Sequence, residues 1–209
     1  MYLRIVVVGI DHWEDLTLPF LKGLHEHNPA FGDPKKDIVL VDNGSRNPYP
    51  LECARLDKTV GYGEALNFGA SCLDANWDWL LCCNNDCLCT GAIDCLHLRT
   101  DTIYGNAWKF DYEWMHDLHL PAVVDSAYLL IPRKVWDAVG QFDPFMDAAF
   151  EEIDYGLRAI EAGYRLDVVD LPITHLNRHT RRELEGYDKR WSNTSDYFHK
   201  KHKSKAVEA

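Results

Sequence analysis

Long apolar runs, linkers and repeated segments are all missing from this sequence. No stretch of its 209 residues approaches the length of a membrane span, and residues 1–8 lead into a strand-like apolar run rather than a cleavable signal. The absence of low-complexity blocks and repeats favours one globular domain. We therefore expect a single soluble domain, located in the cytoplasm.

Basic residues are scarce relative to acidic ones. The chain has 33 Asp and Glu against 22 Lys and Arg, a net charge of −11 that argues against attraction of nucleic acid to the whole surface. The exception is the basic tail, residues 178–209, where nine Lys and Arg face five acids, which leaves −15 on residues 1–177. We interpret this tail as a solvated C-terminal helix. The alternative is a surface for an anionic acceptor, phosphate or membrane headgroups.

The cysteines lack the paired C-x2-C spacing that tetrahedral zinc sites usually use. Seven are present, an odd number, and no secretory signal supports a disulfide framework. Five of them crowd one region, namely Cys82, Cys83, Cys87, Cys89 and Cys95. We interpret them as small buried thiols on a central strand. The alternative is a zinc site in a non-enzymatic protein that binds nucleic acid through its basic tail.

Strand-like and helix-like patterns alternate along the chain. This alternation predicts right-handed crossovers and a mostly parallel sheet, in which ligands bind at the carboxyl ends of the strands. The predicted strands are residues 3–8, 37–41, 77–83, 126–131 and 166–169. The predicted helices cover residues 16–24, 64–73, 133–139 and 153–160, with a further helix at 90–98. Polar clusters follow three of the strands, after residues 8, 41 and 83.

A group of acids stands where one helix is predicted to begin. These acids are Asp147, Glu151, Glu152 and Asp154. Apolar residues at three- and four-residue spacing predict an amphipathic helix that ends before Gly163. Carboxylates in a first turn also favour the helix dipole, so ordinary N-terminal charge is the alternative to an active site. A histidine that follows the next strand, His175, favours the active site.

Five motifs follow one another in a characteristic order. They are V-D-N-G-S at 41–45, V-G-Y-G-E-A-L-N-F-G-A at 60–70, L-L-C-C-N-N-D at 80–86, Y-L-L-I-P-R-K-V-W-D-A-V-G-Q-F-D at 128–143 and F-E-E-I-D-Y-G-L-R-A-I-E-A-G-Y at 150–164. Together they resemble family 2 glycosyltransferases of the GT-A fold, over nearly the whole chain up to His175. The resemblance implies an α/β, Rossmann-like fold with a mostly parallel central sheet flanked by helices. It also implies an inverting enzyme that uses a nucleotide sugar and a divalent cation.

The resemblance divides the chain into functional parts. It implies a catalytic domain at 1–177, with a nucleotide-binding half at 1–89 and an acceptor and catalytic half at 90–177, followed by the helical tail 178–209. The donor would be a UDP-, GDP- or dTDP-sugar. The residues implied for its binding are Gly9, Asp11, Asp42, Asn43, Gly61, Gly63, Asn67, Asn84 and Asn85. Asp42 resembles the acid that contacts the nucleobase, Asn67 would face the donor, and the glycines permit close backbone approach.

The segment Asn84-Asn85-Asp86 stands where the family has its D-x-D motif. Asp86 is therefore the implied metal ligand, and an ordinary turn after a strand is the alternative. His175 matches the histidine that completes the metal or diphosphate site in some members. The cation would neutralise the diphosphate leaving group. An imidazole ligand suits Mn2+ better than Mg2+, so Mn2+ is favoured.

The family's E-D-x-D pattern corresponds here to Glu151-Glu152-Ile153-Asp154. The second acid is the family's usual base, so Glu152 is implied to take the proton of the acceptor hydroxyl, and Glu151 is the reserve candidate. Asp154 would instead orient neighbours such as Arg158, one turn away.

The sequence leaves the acceptor open. The segment 102–124 carries seven aromatic or imidazole side chains, namely Tyr104, Trp108, Phe110, Tyr112, Trp114, His116 and His119. Aromatic faces suit a glycan, an aglycone or a nucleobase equally, and core packing is the alternative. The hydroxyl acceptor is anionic if the basic tail contacts it, and nucleic acid is expected only as an acceptor.

A nucleotidyltransferase is a competing class, because it could use a similar sheet and metal. Such an enzyme needs a basic phosphate-binding loop near its amino terminus. The corresponding segment here, residues 9–12, has the sequence G-I-D-H and supplies neither Lys nor Arg.

Overall fold

The computed structural model describes residues 2–29, 37–107, 124–177 and 186–203. These residues form a seven-stranded sheet with helices on both faces and a separate two-stranded sheet. The strands are β1 Leu3–Gly9, β2 Ile38–Asp42, β3 Ala54–Arg55, β4 Trp79–Asn84, β5 Cys87–Cys89, β6 Thr102–Ala107, β7 Val124–Pro132, β8 Arg165–Val168 and β9 Ile173–His175. The α-helices are α1 Leu18–His27, α2 Tyr62–Ser71, α3 Arg133–Val139, α4 Glu151–Glu161 and α5 Tyr187–Lys203. A single π-helical turn, Trp13–Thr17, directly precedes α1.

The large sheet has the strand order β3-β2-β1-β4-β7-β6-β8. The first four strands in this order are mutually parallel, β6 and β8 are parallel to each other, and β7 is antiparallel to both β4 and β6. The prediction of a mostly parallel sheet flanked by helices is confirmed. The strand predicted at 126–131 is present as β7, but its antiparallel direction was not predicted.

Strand β1 is buried along its whole length because both of its faces are covered. Ile5 and Val7 belong to the same apolar core as Phe20 of α1, whereas Val6 and Val8 belong to the core on the opposite face. A strand covered on both faces is apolar at every position, which is why an unbroken apolar run predicted it.

Helix α2 lies unusually close to the sheet. A Cβ atom at Gly69 would lie 2.4 Å from Cγ1 of Val6 and 2.8 Å from Cγ2 of Val41, so only glycine allows this approach. Helix α2 follows β3 and precedes β4, so its N-terminus lies at the carboxyl edge of the parallel strands. The Gly61–Gly63 turn is thereby brought to that edge.

The predicted helix at 90–98 is wrong. The backbone N–H of Ile93 donates to Oδ1 of Asn28 at 2.7 Å, and that of Leu96 donates to Oδ1 of Asp94 at 2.9 Å. Side-chain oxygens therefore satisfy donors that a helix would pair internally. The next segment, for which no structure was predicted, begins with β6. Residues 108–123, which include Trp108 to His119 of the proposed acceptor segment, lie outside the described residues.

The basic tail contributes the helix α5, which packs against α4 instead of being wholly solvated. Phe198 of α5 is fully buried in a cluster with Met146, Phe150 and Ile153. Arg178, Arg181 and Arg182 lie outside the described residues. Among the helices that the structure describes, none is long and apolar enough to cross a membrane.

Candidate functional site

Four non-glycine residues of the described chain have a positive φ angle, and all four flank candidate site elements. They are Asp11 (φ 49°) and His12 (φ 51°) after β1, Phe150 (φ 69°) immediately before α4, and Asn177 (φ 54°) after β9. Left-handed backbone is costly for residues that have a Cβ atom and persists where the surrounding structure enforces it. The strained positions therefore coincide with the elements that the sequence analysis assigned to the site.

Asp86 and His175 lie side by side although 89 residues separate them in the sequence. Strand β5 pairs antiparallel with β9, with Cys87 opposite His175, and the N–H of Leu176 donates to the carbonyl oxygen of Asp86 at 2.8 Å. As a result, Nε2 of His175 lies 3.1 Å from Oδ1 of Asp86. The two implied metal ligands are thus brought together by the small sheet.

The Asp86–His175 pair fits a divalent cation that also binds a substrate. The 3.1 Å contact lies within hydrogen-bonding distance, so a cation would replace this hydrogen bond. Adjacent ligand atoms of an octahedron with bonds of about 2.1 Å lie about 3.0 Å apart, so the two side chains already have a compatible spacing. In the part of the chain that the structure describes, no three His, Cys, Asp or Glu side chains form a metal-binding group. A cation held by this pair would therefore need additional oxygen ligands, such as those of phosphate or water.

The clustered cysteines do not form a zinc site within the described residues. The five crowded cysteines, Cys82, Cys83, Cys87, Cys89 and Cys95, are all buried. Cys82 and Cys83 belong to apolar cores on opposite faces of the sheet. Burial raises the pKa of both thiols, which opposes formation of the thiolates that zinc requires. Their interpretation as buried thiols is confirmed.

Asp42 is fully buried at the end of β2. Its carboxylate accepts hydrogen bonds from the N–H groups of Ser45 (2.9 Å) and Tyr49 (3.3 Å) and forms an ion pair with Arg55. These contacts fix the loop that follows β2 and leave no carboxylate oxygen exposed to a nucleobase. In this structure Asp42 therefore shapes the loop, and its expected contact with the nucleobase stays a prediction.

Asn43 and Asn67 each form a pair of hydrogen bonds between their side-chain amide and the backbone of another segment. The amide of Asn43 donates to the carbonyl oxygen of Val60 and accepts from its N–H, both at 3.0 Å. The amide of Asn67 makes the same pair of contacts with Phe142, both at 2.9 Å. Asn67 therefore ties α2 to the segment before α4, and its polar atoms do not face a donor as the sequence analysis expected.

The candidate glycines permit contacts between segments of the chain. A Cβ atom at Gly9 would lie 2.5 Å from the hydroxyl of Tyr49 and 2.9 Å from Nδ2 of Asn85. At Gly61 it would lie 2.8 Å from Cα of Asp147. Asn85 is itself buried and donates to Oγ1 of Thr17 at 2.9 Å. Gly9, Gly61 and Asn85 therefore allow the segments at the carboxyl edge to pack closely. Asn84, at the end of β4, is partly buried.

The loop after β1 combines a partly exposed acid with an aromatic pair. The side chain of Asp11 is 33% exposed, and its Oδ1 accepts from the N–H of Arg46 at 2.9 Å. The hydroxyl of Tyr49 donates to the carbonyl oxygen of Asp11 at 2.9 Å, and burial raises the pKa of Tyr49 to about 12. The ring of Trp13 lies 5.2 Å from that of Tyr49. The segment after β1 therefore carries a partly buried indole two residues from a partly exposed carboxylate.

Glu151 and Glu152 occupy the first turn of α4, as predicted, and both are buried. A Cβ atom added at Gly63 would lie 3.3 Å from Cβ of Glu151, so this side chain adjoins the start of α2. Because α2 begins at the carboxyl edge of the parallel strands, the first turn of α4 lies at that edge too. Asp86 follows β4 at the same edge.

Asp154 is fully buried and contacts Arg158, Lys201 and the imidazole of His202. Nε of Arg158 lies 2.9 Å from Oδ2, while Nζ of Lys201 at 2.6 Å and Nε2 of His202 at 3.0 Å contact Oδ1. Burial opposes ionisation, but the contacts with His202, Lys201 and Arg158 outweigh it and hold the pKa of Asp154 at about 2. The expected orientation of Arg158 by Asp154 is confirmed.

Helix α5 uses several of its charges within the protein. Nε and Nη2 of Arg190 each lie 2.6 Å from an oxygen of Asp147, and Nζ of Lys201 lies 2.6 Å from Oδ2 of Asp143. Asp143 and Asp147 belong to the segment that leads into α4. The positive surplus of the tail therefore compensates the negative charge of this segment, which weakens the case for an anionic acceptor at these residues.

Solved structures similar to this fold are sugar transferases. A mutant of Drosophila β1,4-galactosyltransferase 7 in complex with manganese, UDP-Gal and xylobiose matches with a TM-score of 0.60 and 10% identity, over 91% of this chain and 79% of that chain. The mannosyltransferase of Pyrobaculum calidifontis in complex with GDP-Man and Mn2+ matches with a TM-score of 0.63 and 15% identity, over 99% and 64%. GalNAc-T7 with UDP, GalNAc and Mn2+ matches with a TM-score of 0.61 and 13% identity, over 88% and 44%.

The protein has the GT-A fold. At identities of 10–15% the likeness establishes the fold and not the activity. The chain spans less than two thirds of the mannosyltransferase and less than half of GalNAc-T7. No protein-family model matches the sequence, and no curated protein matches it significantly.

Sequence reasoning missed three aromatic side chains at the carboxyl edge of this GT-A sheet. Trp13 and Tyr49 form the ring pair described above, and Tyr62 stands in the first turn of α2. The hydroxyl of Tyr62 is buried and has no hydrogen-bond partner among the described residues. The position of Trp13 shortly after a buried strand, and that of Tyr62 between two glycines, were the available sequence signals.

Replacement of Asp154 by Asn should destabilise the protein by about 3 kcal/mol at neutral pH, because it removes the negative charge that pairs with the partly buried Arg158 and Lys201. The folded-state pKa of about 2 lies below the ordinary value of 3.8. The stabilisation from Asp154 is therefore complete above about pH 4 and is lost as the pH falls toward 2. Chemical denaturation of the wild type and the variant between pH 2 and 7 measures this difference.

Asp137→Asn is the matched control, since Asp137 is 56% exposed in its ion pair with Arg133 on α3. An exposed ion pair contributes at most about 1 kcal/mol to the free energy of unfolding. Equal stability losses in the two variants, or a difference between wild type and Asp154→Asn that does not shrink at low pH, would contradict this role for Asp154.

Proposed function

We propose that the protein is a metal-dependent glycosyltransferase that moves a sugar from a nucleotide sugar to a hydroxyl acceptor with inversion at the anomeric carbon. The observation that carries this proposal is the 3.1 Å contact between Asp86 and His175 at the carboxyl edge of a GT-A sheet. The two buried glutamates at the start of α4 lie at the same edge. The order of the five sequence motifs supports membership in family 2 and the division at residue 177. A cytoplasmic location is part of the proposal.

Asp86 and His175 would hold the cation together with the diphosphate of the donor. When bound, the cation neutralises charge on the departing nucleoside diphosphate. A carboxylate alone suits Mg2+, whereas the imidazole of His175 favours Mn2+. This preference agrees with the Mn2+ in the galactosyltransferase and mannosyltransferase complexes.

The loop after β1 is the proposed place of the nucleobase. The Trp13–Tyr49 pair offers an aromatic face, and the partly exposed Asp11 offers a hydrogen-bond acceptor. Asp42 and Asn43 would act indirectly, since they fix the loops on either side. We propose the donor only to the level of a nucleoside diphosphate sugar. Uridine, guanosine and thymidine are the candidate nucleosides.

Glu152 is the proposed base. The oxygen of the acceptor hydroxyl forms a bond with the anomeric carbon, the bond to the diphosphate oxygen breaks with its electron pair, and Glu152 accepts the hydroxyl proton. Glu152 is 8% exposed and Glu151 is 2% exposed and adjoins Gly63, so Glu152 has more access to an acceptor. Attack opposite to the leaving group inverts the configuration.

Replacement of Asp86 by Ala should abolish metal-coupled donor binding while the fold is retained. We expect Mn2+ to tighten nucleoside diphosphate binding by the wild type at least about tenfold and to have no effect on the variant, because Asp86 would help to hold the cation that neutralises the diphosphate. Calorimetry with UDP, GDP and dTDP measures the affinities, and hydrolysis assays with the corresponding nucleotide sugars measure donor use.

Asp137→Ala, which changes an exposed acid on α3, is the control and should behave as the wild type. Equal affinities of wild type and Asp86→Ala, with and without Mn2+, would remove Asp86 from the site.

Replacement of Glu152 by Gln should lower the rate of transfer by about 100- to 10,000-fold without changing nucleotide affinity. Gln preserves the shape of Glu but cannot accept the proton at neutral pH. Steady-state transfer assays and nucleotide calorimetry separate the two effects, and NMR of the product gives its anomeric configuration.

Glu151→Gln is the paired control and should cost little activity. An inactive Glu151→Gln enzyme beside an active Glu152→Gln enzyme would exchange the two roles. Activity in both variants, or a product that retains the donor's configuration, would exclude the proposed mechanism.

A further inference from the structure

An aromatic patch adjoins the start of α4, formed by Trp191 of α5 and Phe150. Their ring centroids are 6.0 Å apart with an interplanar angle of 43°. Trp191 is 44% exposed, whereas Phe150 is 7% exposed and stacks its ring on the buried Phe198 at 4.8 Å. Phe150 thus connects the exposed indole to the core between α4 and α5.

The patch is held in place by contacts on both of its sides. Phe150 has a left-handed backbone conformation (φ 69°) that the surrounding packing enforces. Arg190, the residue before Trp191, forms a two-point ion pair with Asp147. The indole is therefore presented by a fixed part of the structure, which lowers the ordering cost of a ligand that covers it.

The position of the patch relates it to the proposed reaction. Phe150 directly precedes Glu151 and Glu152. An acceptor whose hydroxyl reaches Glu152 must place the rest of its structure over the surface around the first turn of α4. Trp191 is the large exposed apolar side chain in contact with the residue that begins this turn.

We propose that Trp191 and Phe150 form an acceptor subsite that binds a pyranose ring of a glycan acceptor. This inference rests on the proposed glycosyltransferase function. A pyranose ring has an apolar C–H face that packs on an indole and hydroxyl groups that remain in water, which matches a half-exposed tryptophan. An anionic group is a poorer match, because Arg190 is already paired with Asp147 and Lys201 with Asp143 and Asp154.

Trp191→Ala and Trp191→Phe test this subsite, with Phe145→Ala as the matched control. Phe145 is also an exposed aromatic residue (68%) and contacts α5, but through Tyr197 rather than near Phe150. The probes are methyl glycosides of glucose, galactose, mannose and xylose as acceptors, with the nucleotide sugar that the wild type hydrolyses as donor. Donor hydrolysis without acceptor is measured in parallel.

We expect Trp191→Ala to raise the acceptor KM about fivefold, with kcat and donor hydrolysis unchanged, because stacking of this kind contributes about 1 kcal/mol. Trp191→Phe should restore most of the affinity, and Phe145→Ala should match the wild type.

Intact donor hydrolysis with an unchanged acceptor KM in Trp191→Ala would overturn the subsite alone. An increase in the donor KM would assign the indole to the donor and would also overturn it. Absence of donor hydrolysis in the wild type would instead overturn the proposed function.

Discussion

The buried carboxylate of Asp154 is the contact on which the arrangement of the candidate site depends. A charge at this depth is stable only when it is paired and hydrogen-bonded, and here its partners come from two helices. Arg158 belongs to α4, whereas Lys201 and His202 belong to α5. Helix α4 therefore keeps its charge balance only while α5 is docked, and the two glutamates of the same first turn are placed by the same contacts. The basic tail that sequence composition isolates is in this way part of the fold.

The sequence predicted the centre of the fold better than its periphery. Strands covered on both faces are apolar throughout, and α4 has a regular apolar face, so local patterns were sufficient for β1, β4 and α4. The segment 90–98 has helix-compatible residues, but its N–H groups bond to Asn28 and Asp94, and a contact with a residue 65 positions away is invisible to a local pattern. The reversed direction of β7 likewise depends on its neighbours in the sheet and not on its own residues.

The predictions for polar site residues also depended on contacts between residues that are distant in the sequence. Asp86 and His175 are brought together by the register of β5 and β9, as the family resemblance implied. Asn67 was assigned to a donor, yet its amide is occupied by Phe142, 75 residues away. Residue type identifies groups that can make hydrogen bonds, but only the fold determines whether those bonds are made within the chain. Trp13 and Trp191, which we propose for the donor and the acceptor, were not predicted from the sequence. An aromatic residue in the core and one at a ligand surface have the same local sequence signal.

The central claim is that Asp86 and His175 hold a cation together with the donor's diphosphate. A crystal structure of the protein with Mn2+ and a nucleoside diphosphate, recorded with anomalous scattering from manganese, tests it most directly. We expect a single manganese ion, located by its anomalous signal, within bonding distance of Oδ of Asp86, Nε2 of His175 and diphosphate oxygens. The nucleobase should lie at the loop after β1. A nucleotide bound without manganese at this pair, or manganese bound elsewhere, would contradict it.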